Sequence, residues 1–219
     1  MKFCSERRVA DSHKINHNDY MPRIPIIDAK FAPGLQQDLE FFKTTLGFVP
    51  NSVLSMLPIP GLVKAYVRLN AAVMDPNGAV DLGFRRLLGY VSAHEAGYPY
   101  SGAQALLIAR FLEVSEEKLA DILRYHDSPH YSEAERVALD LAVAASRQPN
   151  GVTDELFERV REHWHDTQIL EMVAVVGLYG FLGRWTASLR MPLEPVACAV
   201  AEQALGNKGW TAGYHAPEA

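Results

Sequence analysis

The chain has 219 residues, of which 48% are hydrophobic and 21% charged, and 26 Asp and Glu against 21 Lys and Arg leave a net charge of −5. That is the composition of a globular chain with enough apolar residues for one sizeable core, which excludes the disordered and fibrous classes. No block of Lys or Arg is present to neutralise a row of phosphates, so no nucleic-acid partner is expected.

Residues 1–32 carry Pro22 and Pro25 and no periodic apolar pattern, which predicts an irregular N-terminal arm. Charges from Glu6 to Lys14 leave it without the apolar core of a signal peptide, and a cytoplasmic location is expected. Over 33–205 apolar residues recur at helical spacing between Pro, Gly, Asn and Asp punctuation, which predicts a single all-α domain.

Helices are expected over 33–46, ended by Gly47, over 61–74, stopped by Asp75-Pro76-Asn77-Gly78, and from about Asp81 to Gly97. The Pro-rich stretch 47–60 reads as a loop. Further helices are expected over 101–112, 115–126 and 132–147, the last opened by the capping box Ser132-Glu133-Ala134-Glu135, and Thr153 caps another. Asp166 is placed to cap a long apolar helix over 167–189, in which Gly177, Gly180 and Gly183 recur every three residues and would admit a close neighbour. Its run 172–179 is well short of the about 20 apolar residues that span a bilayer, so no membrane partner is expected. A final helix over 194–205 precedes a tail, 206–219. Cys4 and Cys198 are the only cysteines and stand too far apart in sequence for a CxxC pair.

The stretch Arg85-Arg86-Leu87-Leu88-Gly89-Tyr90-Val91-Ser92-Ala93-His94-Glu95-Ala96-Gly97-Tyr98-Pro99-Tyr100-Ser101-Gly102-Ala103-Gln104 resembles the helix–turn–helix core of the carboxymuconolactone decarboxylase and alkylhydroperoxidase D (AhpD-like) superfamily. Gly47-Phe48-Val49-Pro50-Asn51, Ser128-Pro129 with Ser132 to Leu139, Gly180 to Trp185, and Gly209 to His215 extend the resemblance, in order, over roughly residues 20–215 and toward the peroxidase-related branch. The resemblance implies an AhpD-like helical bundle that is oligomeric. Peroxidase members carry two cysteines and a histidine at this turn, because the chemistry needs a thiol pair at a helix N-terminus and a proton carrier. Here those positions hold Tyr98, Ser101 and Gln104, which argues against thiol peroxidase activity. The decarboxylase branch offers an acid and a histidine, where Tyr100 and Gln104 stand.

His94 and Glu95 are the acid/base candidates, one turn or less before Tyr98, but neighbours on a helix point about 100° apart and at most one can face a pocket squarely. Tyr100 completes the catalytic set. Tyr98, Ser101 and Gln104 are candidates for binding substrate. Ser101 with Gln104 also reads as a capping box, and the two tyrosines also read as packing residues. His126, His130, His163 and His165 have no repeated ligand spacing, so no metal site is assigned and no cofactor is expected. The function expected is cofactor-independent acid/base work of decarboxylase, lyase or isomerase type on a small polar organic molecule. The alternatives are a non-catalytic ligand-binding or structural oligomer of the same fold, and a metal-dependent enzyme using histidines. A homo-oligomer, dimeric or trimer-based, is expected, with the N-terminal arm clasping a neighbour and a small molecule as the other partner.

Overall fold

A computed structural model describes residues 21–31 and 34–217. Among these there are ten α-helices and no strand. Cys4 and most of the expected N-terminal arm lie outside the described residues. The part of the arm that is described, 21–31, is irregular and is tied to the bundle where Arg23 donates through its backbone N–H to Leu189 (2.9 Å) and through its guanidinium to Ser188 (2.8 Å).

Helix α1, Gln36–Leu46, ends at Gly47 in the left-handed conformation at φ 79°, as its sequence predicts. The loop expected over 47–60 contains a short helix, α2, Asn51–Leu54, entered from Pro50. α3, Pro60–Val73, starts with Pro at its first position, where a missing N–H costs nothing. α4, Leu82–Glu95, is capped by Asp81, whose carboxylate accepts from Phe84 N–H (2.8 Å). α5, Pro99–Phe111, again begins on a proline. α6, Glu116–Asp121, is shorter than expected and runs into a 3-10 turn, Ile122–Arg124. α7, Glu133–Ser146, opens on the expected capping box, with Ser132 and Glu135 each accepting from the other's backbone N–H. α8, Asp154–Arg161, is capped by Thr153.

α9, Asp166–Leu189, is the longest helix, and by length and composition it is apolar enough to cross a membrane. It instead runs through the bundle, burying Ile169, Met172, Val175, Leu178 and Tyr179 against α3, α4, α5 and α7. α10, Pro195–Leu205, closes over α5. The element beneath all of this is α4. Every residue from Gly83 to Ala93 is buried, because α5, α7 and α9 cover it on three sides. A second, small apolar cluster of Val137, Leu141, Val160 and Ile169 joins α7, α8 and α9.

Two glycines permit close approaches. A methyl group at Gly89 of α4 would lie 2.3 Å from the Tyr179 ring, and one at Gly183 of α9 would lie 1.9 Å from the ring of Tyr98. Of the three glycines expected to admit a neighbouring helix, Gly183 therefore seats a side chain, Gly180 faces Arg184, and Gly177 is open.

Candidate active site

A narrow cavity of about 60 Å³ lies where α1, α2, α3, α4, α5 and α9 converge. Its apolar wall is Phe41, Phe42 and Leu46 from α1, Tyr66 from α3, Ile108 from α5, and Leu178, Tyr179 and Leu182 from α9. Its polar residues are Ser52, Asn70, Arg86, Tyr100, Ser101 and Gln104. An apolar pocket with a few converging polar groups is the usual form of a small-molecule site.

Behind the Tyr100 and Gln104 wall stands Glu194, the residue before α10, 8% exposed. Its Oε1 accepts from the backbone N–H of Asn51 (2.5 Å) and from the Tyr100 hydroxyl (2.9 Å), and its Oε2 accepts from the Gln104 amide. The Tyr100 oxygen in turn accepts from Ser52 N–H (3.2 Å). Asn51 holds the approach by donating its side-chain amide to Pro192 O (2.9 Å). Burial pushes the Glu194 carboxyl above the usual range and outweighs the four hydrogen bonds that favour its charged form. Burial and the neighbouring Glu194 hold the Tyr100 phenol well above its ordinary value, so Tyr100 is neutral and is the donor.

His215 completes the layer. It is fully buried, its ring is 5.6 Å from that of Tyr100, and its Nδ1 is 2.6 Å from Met191 O. A carbonyl can only accept, so Nδ1 carries the proton and Nε2, which has no partner, is a bare acceptor. Burial lowers its pKa and keeps it neutral.

The structure brings together three of the six residues singled out from sequence. Tyr100, Ser101 and Gln104 all line the cavity. The capping-box reading of Ser101 and Gln104 is corrected. α5 begins at Pro99, two residues earlier than expected, so Ser101 is the third helical residue, its Oγ is buried without a partner, and Gln104 reaches Glu194 instead. Tyr98 lies elsewhere, its ring pressed on Gly183. His94 is exposed and stacks on Tyr90 at 5.9 Å, and Glu95 pairs with Arg147 (2.8 Å) beside an open groove. Both acid/base candidates therefore sit outside the cavity, to which α4 contributes Arg86, more than two turns before its C-terminal end. Sequence reasoning missed Glu194 and Arg86. A Glu just before Pro195 reads as helix-start chemistry, and no local pattern marks it as the partner of a residue 90 positions away.

Among the described residues the one cysteine is poorly suited to thiol chemistry. Cys198 is buried on α10, pushed up to about 11 by burial and by Glu202, whose carboxylate its Sγ approaches at 3.6 Å. A thiol held in that form is a poor nucleophile. His126, His130, His163 and His165 are all on the surface, and His126 pairs with Asp140 (3.1 Å). Among the described residues no three His, Cys, Asp or Glu side chains converge.

No family model matches the chain. An uncharacterised protein of Escherichia coli (strain K12), YnjA, is 32% identical over 89 residues, 41% of this chain and 48% of that protein, so the match spans about half of its length. The crystal structure of a Cys-to-Ala variant of the debrominase Bmp8, in complex with 2,3,4-tribromopyrrole, superposes with a TM-score of 0.78 at 26% identity, over 84% of this chain and 96% of that one. An uncharacterised peroxidase-related protein from Ralstonia eutropha JMP134, described as an alkylhydroperoxidase AhpD core, superposes with a TM-score of 0.72 at 18% identity, over 90% and 98%. The chain has the AhpD/carboxymuconolactone decarboxylase-like fold, and Cys198 is the only cysteine among its described residues, so they hold no CxxC pair.

Proposed function

We propose that the protein is a cofactor-independent enzyme that moves a proton on a small polar organic molecule held in this cavity, in a reaction of decarboxylase, lyase or isomerase type. The observation that carries the reading is the buried Glu194 carboxyl, hydrogen-bonded to a tyrosine hydroxyl on the cavity wall. A buried carboxyl whose pKa is raised above the usual range holds a proton more readily than an exposed one and is suited to accept and return it. Tyr100 carries it. A substrate proton passes to the Tyr100 oxygen as the Tyr100 proton passes to Glu194, and the reverse step protonates the product. Ser101 Oγ and Gln104 Oε1, both buried and without partners, are the free polar atoms for orienting the substrate. His94 and Glu95 have no part in this mechanism. That Bmp8 has been captured with a small heteroaromatic molecule supports a site of this size in the same fold. The reading keeps the cytoplasmic location.

A second reading, ligand binding without turnover, is favoured by one observation: the Tyr100 proton and both Glu194 oxygens are already engaged with one another and with the backbone. The two separate in a panel of small carbon acids, lactones and 2-oxo acids incubated in D2O, with deuterium uptake and product followed by NMR. Wild-type protein is expected to act on at least one class, and Tyr100→Phe and Glu194→Gln to lower that rate by about 10²- to 10⁴-fold. Cys198→Ala is expected to change nothing. Undiminished turnover in Tyr100→Phe, or loss in Cys198→Ala, would reject the mechanism, and inertness toward the whole panel would favour the binder.

A further inference from the structure

Two arginines sit side by side on α4 and are both buried, yet only one is provided for. Arg85 donates to Val73 O (2.8 Å) and Asp75 O (2.5 Å) and so caps the end of α3. Arg86 is 8% exposed, its Nε is buried without a partner, and no hydrogen bond or ion pair to it is formed among the described residues. Its guanidinium lies at the cavity, close enough that its charge acts on the Tyr66 hydroxyl. Asn70, 7% exposed, lines the same wall, and its amide too is uncommitted among the described residues. A buried guanidinium without a counter-ion is costly to fold around, and the cost is recovered only when an anion arrives. Its planar fork matches a carboxylate with two parallel hydrogen bonds.

We propose that the cavity is a binding site for a compact planar monoanion, its oxyanion head on Arg86 and Asn70 and its apolar body against Phe42, Tyr66 and Leu182. One cation is present, so one charge is matched. A second anionic group would be driven toward the wall backed by Glu194, where it meets another carboxyl in a poorly solvated space, so dianions are rejected. The inference takes the cavity to be the site, as in the proposed function, but does not depend on proton transfer.

The test uses benzoate as the probe, with benzamide as its neutral isostere and phthalate as a dianion, titrated calorimetrically into the full-length protein. Benzoate is expected to bind at least about 10-fold more tightly than either. Arg86→Met is expected to bring benzoate down to the benzamide level, and Arg86→Lys to keep part of the preference. Arg86→Met should also melt about 2–4 °C above the wild type without ligand, because an unpaired buried charge is gone. A purely structural arginine would give the opposite shift. Equal binding of benzoate and benzamide by the wild type, which needs no variant to fold, would overturn the proposal, as would unchanged benzoate affinity in Arg86→Met. Benzoate undergoes no reaction here, so failure of the acid/base mechanism would leave this result standing.

Discussion

Burial acts on Glu194 and His215 in the same sense, pushing each toward its uncharged form, but because one is an acid and the other a base their effects on stability run in opposite directions along the pH scale. For His215 the folded pKa lies below the ordinary 6.5, so as pH falls the unfolded chain takes up its proton first. Its contribution is complete above pH 6.5 and is lost as pH falls through the folded value. For Glu194 the folded pKa lies above the ordinary 4.5, and stability drains away as pH rises through the folded value. The stability of the wild type relative to His215→Asn, whose amide can still donate to Met191 O, is therefore expected to fall as pH is lowered below 6.5, read as a narrowing gap between their urea midpoints, since Glu194 contributes equally to both. A gap that does not change with pH would show that the histidine makes no such contribution. At this scale the sequence was legible where chemistry is local, as in the Ser132 and Glu135 box. It was not legible at Arg86, where an arginine on a helix reads as a solvent-facing residue and only the three helices around α4 reveal that it is enclosed.

Among the elements, the contact between α9 and the turn ahead of α5 is set by one missing methyl group. The Tyr98 ring occupies the space above Gly183 so closely that Gly183→Ala cannot be accommodated without moving the ring. Overpacking of this kind costs about 1–3 kcal/mol, and Tyr98→Ala, which empties the same notch, should cost about 2 kcal/mol. Together they should cost clearly less than the sum, since the added methyl fills part of the vacated space. Additive effects in urea unfolding would mean that the two residues do not share this contact. The spacing of Gly177, Gly180 and Gly183 was visible in the sequence, but spacing alone cannot say whether the partner of a glycine is a helix, a ring or solvent. Likewise the existence and order of the long helices followed from apolar periodicity. α2 did not, because four residues between prolines carry no period to read.

The described bundle is organised so that α4 is buried from Gly83 to Ala93 while α9, the more apolar of the two, is covered on only part of its circumference. Leu170 is 69% exposed and Val173 44%, on the side of α9 turned away from α4. We propose that this uncovered face of α9 meets a second copy of the chain, in the homo-oligomer expected from the sequence. Sedimentation at micromolar concentration is expected to give a species larger than the 24.3 kDa chain, and Leu170→Glu to shift it toward monomer. A wild-type monomer would reject the assembly. The cavity was legible from sequence only in part, because its walls come from six helices spread from residue 41 to residue 182 and the resemblance pointed only to the α5 contribution.

The Tyr98 and Gly183 contact also bears on how this chain could change over time. By the family resemblance Tyr98 and Ser101 stand where thiol-bearing members have their cysteines, so acquiring that chemistry would take two point changes, Tyr98→Cys and Ser101→Cys. The first of them would open a hole over Gly183, and the hole would have to be closed by a change on a different helix. Tyr98→Cys by itself is therefore expected to be less stable than the protein it starts from. The seating of one aromatic ring thus opposes the first of those two changes by packing alone, whatever the cavity does.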